Sequence, residues 1–217
     1  MIGRNRGRRP AAPRPEQRNE LCSERTSGRW SERGAALVEA SLVTTLFLLV
    51  VLFVFEMGFL FRDSLTTSNA SREAARAAST KGRDADADYY TIRNAEHGLE
   101  AIGLQSLEVM VIFKASGPDD TVPGACLSGS QTGLCNRYTA IDFFAEIEDS
   151  MGNPTGNFGC GTLDFEWCPT TREATASVGP DYVGVYVKTK HDYLTGLFGS
   201  TLDLDATTIL RIEPDER

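Results

Sequence analysis

One stretch of this chain limits what it can fold into more than any other. From Ala35 to Phe61 it reads AALVEASLVTTLFLLVVLFVFEMGFLF, apolar without a break from Leu46 to Phe55 and uncharged between Glu39 and Glu56. As a helix, 27 residues rising about 1.5 Å each extend roughly 40 Å, enough to cross a hydrocarbon core of about 30 Å. A helix buried in a water-soluble core would show a polar stripe at the 3.6-residue period, and Leu46 to Phe55 has none. A cleaved secretory signal would be shorter and followed by small residues. Here the run is followed by Glu56-Met57-Gly58-Phe59-Leu60-Phe61. The segment is therefore expected to be a membrane-spanning helix.

Charge divides the chain at this segment. The net charge is −8, yet residues 1–33 hold nine Arg and four Glu, a net of +5, which leaves −13 on the rest. Arg25, Arg29 and Arg33 precede the apolar run, whereas Arg62, Asp63, Arg72, Glu73 and Arg76 after it are mixed in sign. Positive flanks stay on the cytoplasmic side, so the N-terminal stem is expected inside and the larger C-terminal part outside. The stem is rich in Arg and Pro and poor in apolar residues, and is expected to be disordered. An acidic outer part excludes a generic nucleic-acid binder.

A carboxylate within a spanning helix costs about 2.5–3.5 kcal/mol at mid-membrane and marks function. Glu39 is such a group, five residues after Gly34 in Arg33-Gly34-Ala35-Ala36-Leu37-Val38-Glu39. The arrangement resembles a type IV prepilin cleavage site. Cleavage after Gly34 would make Ala35 the first residue, with a free amine, and Glu39 the fifth. Ammonium and carboxylate could then neutralise each other between neighbouring subunits in a low-dielectric bundle.

Downstream, Ser68-Asn69-Ala70-Ser71-Arg72-Glu73-Ala74-Ala75-Arg76-Ala77-Ala78 extends the pattern. Together, Arg33, Gly34, Val38, Glu39, Glu56, Gly58, Asn69, Ala70, Arg72, Ala74, Ala75, Arg76 and Ala78 resemble the motif of the TadE-like family of tight-adherence (Flp, type IVb) pilus assembly proteins. The closing Ile209-Leu210-Arg211-Ile212-Glu213-Pro214 is also similar to the family's terminal strand. Two positions depart from the pattern: Thr44-Thr45 stands where the family usually has Leu-Pro, and Met57 where Phe is common. The resemblance implies a bacterial minor pseudopilin or pilus-assembly and secretion factor. Its implied partners are the membrane, pilins, pilus-assembly proteins and a prepilin peptidase. No nucleic acid, small-molecule substrate, cofactor or metal is implied.

Residues 62–81 keep a helical pattern, with Ala70, Ala74, Ala77 and Ala78 as a small-residue stripe that suits either a partner pilin or the chain's own head. Gly82 is a fitting stop, and a second helix is expected over Ala87–Ala101. Beyond Gly103 the pattern alternates. Leu107, Val109, Val111 and Phe113 are expected on one face, with Glu108, Met110, Ile112 and Lys114 on the other. Further strands are expected around Tyr138–Glu146, Tyr182–Lys190 and Thr201–Ile212. Cys126, Cys135, Cys160 and Cys168 lie in the loop-rich stretch between, and four cysteines in an exported segment read as two disulfides. Local pairing, Cys126 with Cys135 and Cys160 with Cys168, is expected. Zinc is disfavoured because no C-x-x-C pair is present.

Enzyme chemistry finds no footing. His97 and His191 read as surface residues, no G-x-S-x-G accompanies them, and Gly159-Cys160-Gly161 lacks a phosphate-loop context. Asp84-Ala85-Asp86-Ala87-Asp88 begins like a calcium loop, but Tyr89 takes the place of the required Gly, so a solvated acidic turn is expected. The fold expected is α+β in four parts: a stem over 1–34, a transmembrane helix over 35–61, juxtamembrane helices over 62–102, and an extracytoplasmic antiparallel sheet domain over 103–217. A non-catalytic TadE-like pilus component is the leading reading. The alternative is an unprocessed membrane-anchored extracellular binding or adhesion domain.

Overall fold

The computed structural model describes residues 15–144, 147–148, 151, 153–154, 156–196 and 199–214, and of 15–33 and 143–144 the backbone only. The chain divides into two units, Met1–Val54 and Phe55–Arg217. A single helix, α1, runs from Pro15 to Lys81. It takes in residues 15–34, which the composition led us to expect disordered. Glu16, Gln17, Arg18 and Leu21 favour helix, and extending a helix costs far less than nucleating one.

In the first unit, the side chains from Leu37 to Val54 are largely exposed, and this helix is long and apolar enough to cross a membrane. The Thr45 hydroxyl donates to the Ser41 carbonyl at 2.8 Å and the Ser41 hydroxyl to Val38 at 2.7 Å. The threonine pair that replaces the usual Leu-Pro thus continues the helix by back-bonding.

The second unit is α+β. The remainder of α1 is followed by α2 (Ala87–Leu99), β1 (Leu107–Ala115), α3 (Gly124–Ser128), β2 (Cys135–Thr139), α4 (Ala140–Phe144), β3 (Tyr182–Asp192) and β4 (Thr201–Arg211). The four strands form one antiparallel sheet in the order β2-β1-β3-β4. α1 ends where expected. Gly82 has φ +43°, its amide donates to the Ala78 carbonyl at 3.0 Å, and a Cβ there would lie 2.8 Å from Ile212.

The strand expected over Tyr138–Glu146 is instead the short β2 followed by α4, with residues 145–146 outside the described part. The cause is a local one. Asp142 accepts from the Thr139 amide at 2.6 Å and from its hydroxyl at 2.8 Å, half of a capping box that starts a helix.

β1 is buried on both faces. Met110 and Ile112 join Ala70, Ala74, Ala75 and Ala78 of α1 and Ile92, Ala95 and Leu99 of α2 in the main core. Val109, Val111, Phe113 and Ala115 face a smaller cluster with Cys126, Cys135 and Tyr186. Leu107 was expected beside Val109 but packs in the main core, because a register irregularity between them moves it to the other face.

The alanine stripe therefore docks on the chain's own head, with Ala75 in place of the half-buried Ala77. Small side chains permit the closest approach. A Cβ on Gly98 of α2 would lie 2.5 Å from the Ala70 Cα.

Candidate functional site

The motif residues of α1 in the second unit sort onto two faces. On the buried face, Glu56 is 1% exposed and accepts from the Leu194 amide at 3.2 Å, the Thr195 amide at 3.1 Å and the Thr195 hydroxyl at 2.9 Å. One to two turns on, Asp63 Oδ2 lies 2.6 Å from His191 Nδ1. Thr67 then meets Thr189 at 2.7 Å, and Ser71 donates to the Val185 carbonyl at 2.9 Å. Ser79 donates to the Arg211 carbonyl at 2.6 Å.

As the helix number rises from 56 to 71 the partner falls from 195 to 185, so this part of α1 runs antiparallel to β3. Each polar group has a partner at only one helical register. Sliding α1 by a turn would strand several of them in the interior, where an unpaired polar group costs about 1–3 kcal/mol. The seam thus fixes where the head attaches along the helix. Glu56, expected inside the spanning segment, belongs to the head.

His191, expected at the surface, is buried, with Tyr193 edge-on to its ring at 5.1 Å. His97 does lie on the surface.

The opposite face is exposed. It carries Gly58, Leu65, Asn69, Arg72 and Arg76, separated by seven, four, three and four residues, which keeps them on one helical stripe. Among the described residues neither Arg72 nor Arg76 forms an ion pair. Arg76 borders a shallow groove that it shares with Glu73, Tyr90 and Asn94. The motif thus holds two kinds of residue: Glu56 and the alanines build the head, while Gly58, Asn69, Arg72 and Arg76 face outward.

Gly34, Ala35, Val38 and Glu39 lie in the first unit on the continuous helix, all exposed, and the Arg33 side chain is outside the described part. Among the described residues, a Cβ on Gly34 would meet nothing within 4 Å. The residues of the expected processing site thus lie together in one exposed segment, and the outward motif residues lie in the other unit.

Sequence reasoning missed a buried polar centre in the head. Asp88, expected in a solvated turn, is fully buried. Its carboxylate takes Arg172 Nη2 at 2.6 Å, Asn136 Nδ2 at 2.8 Å and the Tyr138 hydroxyl at 2.8 Å. The Arg172 guanidinium lies 4.2 Å over the Trp167 ring. Burial first, and then the Asp88 charge, push the Tyr138 hydroxyl well above its usual range and raise the Asp164 carboxyl.

Asp164 follows the Gly159-Cys160-Gly161 turn, which lacks a phosphate-loop context. The Gly159 amide donates to it at 3.0 Å, with Gly159 and Cys160 at φ +76° and +68°. The loop's amides thus serve the chain's own carboxylate. Only the alternation of Asp with Ala hinted that one acid of the 84–88 run faces inward.

Cys126 pairs with Cys135 and Cys160 with Cys168, at Cα separations of 6.1 and 4.9 Å. The first bridge holds α3 to the start of β2, and the second closes the loop around Asp164. Among the described residues no group of three His, Cys, Asp or Glu could hold a metal.

No curated protein and no solved structure matches the chain. The family model described as TadE-like protein matches residues 34–76, from the glycine of the expected processing site to the last arginine of the exposed stripe, so this stretch is similar to that family.

Proposed function

We propose that the protein is a minor pseudopilin or pilus-assembly protein of a tight-adherence pilus system. Its stem lies in the cytoplasm, α1 crosses the cell membrane, and the head lies outside. It works by helix packing and protein–protein contact and performs no catalysis. The observation that carries this reading is the TadE-like segment's own anatomy: Gly34 and Glu39 at the start of an exposed apolar helix, and Arg72 and Arg76 on its outward face further along. An apolar helix with nothing over it needs lipid or other helices. A carboxylate at its start needs a cation, which the Ala35 amine of a neighbouring subunit would supply after cleavage.

Mass spectrometry of the first peptide of the membrane-extracted protein tests the processing step. A start at Ala35 is expected, and an intact stem from Met1 would favour the unprocessed, membrane-anchored binding domain. Glu39→Ala is expected to insert normally and to lose piliation, and wild-type piliation in that variant would reject the role given to Glu39.

A further inference from the structure

The part of the head around Glu56 carries apolar side chains that the buried seam leaves unused. Glu56 comes directly after Phe55, the last residue of the unbroken run, and it takes the amides of Leu194 and Thr195. The β3–β4 turn is thereby tied to the point on the chain where the apolar run ends. With its backbone held, Leu194 leaves its side chain 71% exposed, and Phe61 is 67% exposed. Leu202, across from His191 in the β3–β4 register, and Phe59 are also exposed. Arg62, paired with Asp63 at 3.0 Å, lies over the Phe59 ring at 5.6 Å.

Ala35 to Phe55 is 21 residues, or about 32 Å of helix. That length fills a hydrocarbon core of about 30 Å and brings Glu56 to its edge. Large apolar side chains with an arginine among them, at that depth, suit the layer where acyl chains meet phosphates.

We propose that Leu194, with Phe59 and Phe61 of α1, rests in the interfacial layer of the bilayer, so that the head's partner at this end is the lipid surface. The Glu56 clamp holds Leu194 at that depth. This assignment requires that α1 crosses the membrane and is independent of the pilus reading.

The test uses the full chain with Cys22→Ser, so that a nitroxide label attaches only to an introduced cysteine while the two disulfides stay intact. Leu194→Cys, Phe61→Cys, Val50→Cys and Ile141→Cys are labelled in phosphatidylcholine–phosphatidylglycerol vesicles, and collision with oxygen and with a water-soluble nickel chelate is measured. Leu194 is a surface position whose bonds to Glu56 are made by its backbone, so the substitution spares the fold. The expected oxygen-to-nickel ratio at 194 and 61 is roughly threefold or more above that at 141, because a hydrated chelate is kept out of the acyl layer. A ratio at 194 equal to that at 141, with 50 still high, overturns the lipid contact and leaves the spanning helix standing. A low ratio at 50 as well overturns both. Poor access of both agents at 194 means a protein covers the turn, and overturns the lipid contact.

Discussion

Asp88 and Arg172 show the cost that a single residue can carry here. Both are fully buried, and each is held by the other together with Asn136, Tyr138 and Trp167. Removing one member of such a pair leaves a bare charge in the interior, at about 3–5 kcal/mol, whereas removing both can be close to neutral. Asp88→Asn is therefore expected to lower unfolding stability by about 3–5 kcal/mol in denaturant titrations of the detergent-solubilised chain, and adding Arg172→Met is expected to recover much of it. Additive losses would reject the coupling.

Glu108 makes a pH-dependent contribution. Its bonds to Lys188 and then Lys190 hold its carboxyl below the ordinary value of 4.5. The stabilisation is complete above that value and fades as pH falls through the lower folded one. Glu108→Gln should thus cost about 0.5–1 kcal/mol at neutral pH and nothing in strong acid, as read from stability against pH. Asp164, raised by burial, works in the opposite sense and loses stability as pH climbs above its ordinary value of 3.8.

Among the elements, α1 and α2 meet where neither has a side chain to spare. Gly98 on Ala70 leaves no room for a branched residue. Gly98→Val should force the helices apart and destabilise the head by about 1–3 kcal/mol, while a control such as Gly117→Val, where a Cβ meets nothing within 4 Å, should not. Equal melting temperatures for the two variants would refute the tight crossing. Helix or strand identity was legible wherever the periodicity was long. α2, β1, β3 and β4 lie within a residue or two of their expected ranges. It failed at β2 and α4, where five-residue elements are decided by the single Thr139–Asp142 cap. The Thr-x-x-Asp spacing stands in the sequence, but among strand-like residues that led to the expectation of a strand.

On the scale of the whole molecule, the head is a four-stranded sheet with α1 and α2 on one face and the disulfide-held loop carrying α3 on the other. The loops over residues 116–134 and 156–180 have little regular structure, and the bridges limit how far they can unfold. Replacing Cys126 and Cys135 together by Ser is expected to cost about 2–4 kcal/mol, chiefly by freeing the unfolded chain. Thermal unfolding of that variant beside the wild type under non-reducing conditions measures it, and an unchanged midpoint would assign the bridge no part in stability. The bridge also presses Cys126 and Cys135 into the second apolar cluster, so some of the loss would come from packing.

What the sequence determined by itself were the properties that depend on neighbours along the chain. These are the apolar helix, the Gly34–Glu39 spacing, the motif of the TadE-like segment, the alternation of the long strands and the pairing of close cysteines. Tertiary structure alone decided which side of α1 is buried, that Glu56 belongs to the head, that His191 lies inside against Asp63, and that Asp88 finds Arg172 eighty-four residues away. Periodicity announces that a helix has faces, but a lone polar residue gives no sign of whether water or a distant partner will satisfy it. That choice depends on the energy of contacts made only when the sheet closes over the helix.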